Sequence, residues 1–276
     1  LIGPRLARIC NLDKWNEIRD FLATELTALG RDCCVSGSFL TRLPFPSVKG
    51  AGKKGSLGAA SRAFPLVGAV IGVIAGLSLM AGASLNLHPL ACALIALAVA
   101  ALVTGALHED GLADVADGFG GGSTKAAKLK IMHDSRIGTF GVLAVIFSVG
   151  IRAGILAGLP GPGLGAAALI AAAALSRGLL PAAMHFMEPA RKSGLAAKAG
   201  TPDREGWMKG LALGALLSFL FLGPWGGVVA LAGGALAATF VAWLANRQIG
   251  GITGDVLGAQ QQAAETAILI AAAAAL

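Results

Sequence analysis

Long apolar stretches alternate with short polar ones along most of the chain. They fall at about 65–87, 89–107, 140–159, 164–183, 210–223, 228–246 and 262–276, and most approach the roughly 20 residues that a helix needs to cross hydrocarbon. The stretches at 210–223 and 262–276 are short for a full crossing and read as tilted, broken or interfacial. Ahead of the first stretch, residues 12–30 place Trp15, Ile18, Leu22, Leu26 and Leu29 at helical spacing. That spacing predicts an amphipathic helix lying on a membrane surface, or a mobile terminal extension. The predicted fold class is all-α: a polytopic integral membrane helical bundle of about seven spans.

Composition supports this class. Of 276 residues, 55% are hydrophobic and only 13% are charged, against about a quarter charged in a soluble domain. No Asp or Glu occurs between Asp32 and Glu109. The 40 glycines suit helices that pack closely in lipid. Cys10, Cys33, Cys34 and Cys92 show no CxxC spacing and predict neither a disulfide framework nor a zinc site. The first 21 residues are too polar for a signal peptide.

The net charge of +7 does not point to nucleic acid, because the basic residues sit in alternate loops. Arg42, Lys49, Lys53, Lys54 and Arg62 precede the first stretch. Lys125, Lys128, Lys130 and Arg136 follow the second. Arg191, Lys192, Lys198, Arg204 and Lys209 follow the fourth, and Arg247 follows the sixth. The connections LNLH, PGPG and PWGG hold no Lys or Arg. One topology places every basic loop on one side, which the positive-inside rule makes the cytoplasm. A multi-pass protein of a bacterial cytoplasmic (inner) membrane, with a cytoplasmic N-terminus, is expected.

On that same side falls HEDGLADVADGFGGG, residues 108–122. Asp110, Asp114 and Asp117 are spaced i, i+4, i+7, so on a helix they point within an arc of roughly 60°. Three carboxylates on one face repel each other unless a cation lies between them. Oxygen-only donors suit Mg²⁺ or Mn²⁺ better than Zn²⁺, and Mg²⁺ prefers few carboxylates plus substrate phosphate. The alternative is a solvated acidic loop. Glu109 points away from the triplet, and His108 reads as an orienter or an interfacial polar residue.

Opposite charge follows. GFGGG (118–122) is a turn whose amides could approach phosphate, although loops are commonly glycine-rich. Lys125, Lys128 and Lys130 serve the positive-inside pattern or a phosphate. Asp134, Ser135 and Arg136 crowd the start of the third stretch, where Arg136 offers a fork that fits a phosphate or a snorkelling anchor. Three more charges lie where lipid should be: Arg177 after Ser176, Asp255 in the break GGITGDVLGA (250–259), and Arg152, which lies deeper and reads as a structural partner.

HEDGLADVADG, HDSRIGTFG, TRLPFP (41–46), the SRG of 176–178 and GGITGDVLGA together resemble the cobalamin synthase family, the adenosylcobinamide-GDP ribazoletransferases. The resemblance runs from about residue 39 to the end, which divides the chain into an extension, 1–38, and a membrane transferase domain, 39–276. It implies a Mg²⁺-dependent enzyme with its active site at the cytoplasmic face. Adenosylcobinamide-GDP would be joined to α-ribazole or its 5′-phosphate, releasing GMP and giving adenosylcobalamin or its 5′-phosphate.

The family's motifs fall on Asp110, Asp114 and Asp117 as metal ligands and on Asp134, Arg136, Arg177 and Asp255. Arg136 and Arg177 would hold phosphate oxygens, and Asp117 or Asp255 would take the proton of the attacking hydroxyl. Asp134, Ser135 and the three lysines would contact substrate. Membrane lipid, the two substrates, and other cobalamin-assembly enzymes or a second copy are the expected partners.

Two rival readings remain at this level. A CDP-alcohol phosphotransferase would carry DGxxAR, but here Asp114 and Val115 stand where alanine and arginine belong. A cation transporter would place its acids nearer the bilayer midplane.

Overall fold

The computed structural model describes residues 12–50, 52–53 and 56–275. Cys10, Lys54, and residues 1–11 of the extension lie outside the described residues. The structure is all-helical, and the only strand-like pairing among the described residues is one isolated bridge.

Helix α1 (Leu12–Leu40) leads to a short α2 (Ser56–Ala60) and a 3₁₀ turn, then to α3 (Phe64–Ser84) and α4 (Pro89–Thr104). Proline in the first turn starts both α3 and α4, where its missing N–H costs nothing. The acidic helix α5 (Leu107–Gly121) follows, then α6 (Lys125–Ile131), α7 (Thr139–Gly158), α8 (Pro162–Phe186), α9 (Leu195–Ala199), α10 (Arg204–Ile249) and α11 (Gly254–Ala275). All seven apolar stretches are therefore helical.

Helix α8 is the centre, with most of its length buried. Small residues let its neighbours come close. A Cβ on Gly72 of α3 would lie 2.5 Å from the Ile170 Cα, and one on Gly178 would lie 3.0 Å from the Gly210 carbonyl oxygen of α10. Thus α3 and α10 both pack backbone to backbone on α8.

Four helical runs are long and apolar enough to cross a membrane, or five if α4 and α5 count as one span bent by 92°. The sequence expectation was seven. The difference has three causes. Helix α4 has only 16 residues. Helix α11 carries Gln260, Gln261, Gln262 and Glu265 among its apolar residues. Helix α10 is one run of 46 residues that holds two of the expected stretches, interrupted at Gly223 (φ 71°) before Pro224. Around that interruption the chain folds on itself: a Cβ on Gly227 would lie 2.9 Å from the Cα of Phe219, eight residues earlier, which a straight helix would hold about 12 Å away.

Two elbows set up the site. Gly105 (φ 66°) and Ala106 (φ 56°) are both left-handed, and they turn the chain from α4 into α5. Between α10 and α11 the chain breaks at Gly250 (φ 69°) and Gly251 (φ 153°). There Ile252 donates to the Glu188 carbonyl (2.9 Å), and Ala190 donates to the Ile252 carbonyl (2.8 Å). This two-bond bridge ties the loop after α8 to the start of α11.

Candidate functional site

The aspartates of α5 divide between two places. Asp110 and Asp114 face the start of α11 and meet Asp255 there. Asp114 is pushed up to about 7, first by burial and then by the charges of Asp110, Asp255 and Asp117. Asp255 stands in the first turn of α11. It accepts from Thr253 Oγ1 (3.1 Å), and Arg191 Nη2 lies 3.7 Å from its Oδ2. The bridge between residues 188–190 and 252 is what brings Arg191 here. Gly111 keeps α5 close, since a Cβ there would lie 2.7 Å from the Asp255 carbonyl oxygen.

Asp117 is engaged elsewhere. Its Oδ2 accepts from the Gly138 amide (2.6 Å) and its Oδ1 from the Gly141 amide (2.8 Å). It therefore caps the N-terminus of α7, whose own N-cap, Gly138, has no side chain to do so. Asp134 and Arg136 flank the same spot, a shallow hollow at the start of α7. They pair with each other (2.7 Å), which holds the Asp134 carboxyl well below the usual range. Arg136 and Ser135 are exposed.

The lysines lie beside the α10–α11 break. Lys128 bonds Gln248, and Lys125 Nζ would be 3.1 Å from a Cβ on Gly250. Lys130 is exposed.

Arg177 is in a third place, buried inside the bundle. Its Nη1 donates to the Ala173 carbonyl (3.1 Å) and pairs with Glu265 Oε2 (3.4 Å). Arg152 Nη1 pairs with Glu265 Oε1 (2.9 Å) and approaches Glu109 (3.9 Å). Gln261 donates to Glu265 and to Ser176, and Gln262 donates to Glu109 (3.0 Å). Glu109 thus faces away from the aspartates, as its helical angle predicts.

A cavity of about 110 Å³ opens beside Asp110 and Asp255. His108 and Arg191 also line it, and the remaining walls are largely apolar. Asp117, Arg136 and Arg177 are not among its lining residues.

Sequence reasoning missed Arg191, which reads only as one more basic loop residue. It also missed Glu265, although two arginines within apolar stretches demand a counter-ion.

Among the described residues no three His, Cys, Asp or Glu side chains are arranged to hold a metal ion. The donor chemistry still fits a hard cation. Asp110, Asp114 and Asp255 are oxygen donors, and burial together with the neighbouring carboxylates raises Asp114 well above the usual range; two carboxylates with phosphate suffice for Mg²⁺. Asp117 could join them only by releasing the α7 amides.

These features define a class: a helical protein built for a membrane, with carboxylates, an arginine and a partly apolar cavity gathered at one end of its bundle. Residues 32–273 match the family described as cobalamin-5-phosphate synthase, and the chain belongs to that family.

Relatives agree. A protein of Bradyrhizobium diazoefficiens named adenosylcobinamide-GDP ribazoletransferase is 47% identical over 243 residues, covering 88% of this chain and 93% of that one. Proteins of the same name from Rhizobium johnstonii (45% identical, 87% of this chain and 95% of that one) and Sinorhizobium medicae (42%, 92% and 100%) are similar over comparable spans. No solved structure matches.

Proposed function

We propose that this protein is an adenosylcobinamide-GDP ribazoletransferase. It joins the phosphocobinamide group of adenosylcobinamide-GDP to α-ribazole or its 5′-phosphate and releases GMP. The observation that carries the reading is the meeting of Asp110, Asp255 and Arg191 at one cavity, with Asp114 behind them under the charge of both aspartates, in a chain of this family.

A ribose hydroxyl attacks the phosphorus attached to the corrinoid. A new O–P bond forms, the P–O bond to GMP breaks, and the hydroxyl proton must leave. Catalysis of such a step is mostly positioning and charge stabilisation. Asp255 is the carboxylate best placed to accept that proton. It lines the cavity, whereas both oxygens of Asp117 are engaged by amides. Arg191 can hold a phosphate oxygen through its fork and orients Asp255 until substrate arrives. Asp110 and Asp114 would hold Mg²⁺, which supplies neutralisation of diphosphate charge when bound. Lys125 and Lys128, at the break beside Asp255, are in place for the phosphate of α-ribazole 5′-phosphate.

Seven crossings, with the acidic helix at the cytoplasmic face of an inner membrane, remain part of this reading. The alternation of basic loops supports it, as does the fold-back at Gly223, which allows α10 to cross twice. Cysteines placed at 160–163 should react with an impermeant reagent outside intact cells, and those at 123–136 should not. Labelling of 123–136 from outside would overturn the topology. GMP release by purified protein given both substrates and Mg²⁺ tests the activity, and its absence would overturn the assignment.

A further inference from the structure

The walls of the cavity do not match its mouth. Leu40, Phe64, Leu180, Met184 and Leu257 frame the interior, while Asp110, Asp255, Arg191 and His108 line it as well. His108 is buried, and among the described residues its Nδ1 has no hydrogen-bond partner. We propose that this cavity is the subsite for the aromatic base of α-ribazole, taking the benzo edge of its dimethylated benzimidazole among the leucines. The proposal rests on the transferase reading above and deepens it.

Three arguments favour this occupant over the other groups in the reaction. The first is polarity. A guanine edge carries donors and acceptors that apolar walls would leave unsatisfied, at a cost of kilocalories per group. The benzo edge of a benzimidazole carries only C–H and methyl groups.

The second argument is size. An apolar cavity of about 150 Å³ admits benzene; this one, at about 110 Å³, is smaller and takes the methylated edge of a ring, with the rest of the base toward the mouth. A corrin macrocycle is several times larger and must stay outside.

The third argument is placement. With the base inside, the ribose stands at the mouth, where Asp255 meets a hydroxyl and Asp110 faces the incoming diphosphate. A free cavity of this kind also selects against purine nucleosides, which abound in any cell.

The test uses the full-length protein in detergent. Ala196 lines the cavity and is half-buried, so Ala196→Phe should fill it. We expect the KM for α-ribazole to rise at least about tenfold, as one group added to an apolar pocket can produce, with the KM for adenosylcobinamide-GDP within about twofold. A rise confined to the corrinoid substrate, or no change in either KM, would overturn the subsite.

The free base, 5,6-dimethylbenzimidazole, gives a readout that does not depend on the variant folding. Saturation-transfer NMR on wild-type protein should show transfer from protein methyls to the ring methyls, displaced by α-ribazole but not by guanosine. No transfer, or displacement by guanosine, would also overturn the subsite. Base binding without any GMP release would leave the subsite standing and remove the transferase reading instead.

Discussion

Arg152 on α7 and Glu265 on α11 meet as an ion pair at 2.9 Å, with 3% and 9% of their side chains exposed. Arg177 of α8 joins the same carboxylate from the other side at 3.4 Å. One acid therefore binds three helices together through charge. A buried pair adds little over a well-packed apolar replacement, but removing one member leaves an uncompensated ion and costs about 3–5 kcal/mol. Glu265→Gln, which keeps the shape, should lower the thermal midpoint in detergent sharply and reduce folded yield. An unchanged midpoint would show that the pair is solvated.

Arg177 separates two roles. Were it a phosphate clamp, Arg177→Lys would leave stability intact and slow turnover. Its burial and its bonds to Ala173 and Glu265 predict the reverse. Lysine cannot reproduce the fork, so the midpoint should fall, with GMP release per folded molecule within about threefold, roughly 0.7 kcal/mol of activation free energy. A stable Arg177→Lys protein that turns over more than about tenfold slower would return Arg177 to the substrate.

Asp114→Asn should abolish GMP release while leaving the fold in place. The substitution removes one of the crowded charges at nearly constant size, and Asp114 sits under the combined repulsion of Asp110, Asp255 and Asp117. The apo variant should unfold no earlier than wild type. Addition of Mg²⁺ should raise the midpoint of wild type but not of the variant. Near wild-type turnover at limiting Mg²⁺ would remove Asp114 from the cation site.

Asp117 predicts a different pattern. Its loss uncaps α7, so Asp117→Ala should cost about 1–2 kcal/mol and speed hydrogen exchange of the amides of Gly138 and Gly141. Asp117→Asn should recover part of that protection, because an amide oxygen still accepts. If neither variant changes exchange at those two amides, the cap is not formed in solution.

Helices and acids were legible in the sequence to different depths. Every apolar stretch became a helix, because runs of such length have no other way to satisfy their backbone in lipid. The 3.6-residue period placed Asp110 and Asp114 on one face and Glu109 on another. What the sequence hid is tertiary. Asp117 lies on the predicted arc, but amides 21 and 24 residues later claim it. Arg191 becomes a site residue only through the bridge between 188–190 and 252. Arg177 reads from the sequence as a residue that holds phosphate, because its counter-ion lies 88 residues away.

That last separation bears on how the chain is made. A ribosome delivers α8 to the membrane well before it reaches α11. Arg152 emerges after Glu109 and can draw on it at once. Among the described residues, the acid that Arg177 pairs with directly is Glu265, synthesised 88 residues later, with only the more distant charge of Glu109 acting on it before then. Until then its guanidinium must keep its water, so α8 must wait near the surface or among polar chaperoning contacts. The bundle can close around α8 only when α11 arrives, and a translation product halted before Glu265 would present quality-control proteases with a central helix that cannot settle.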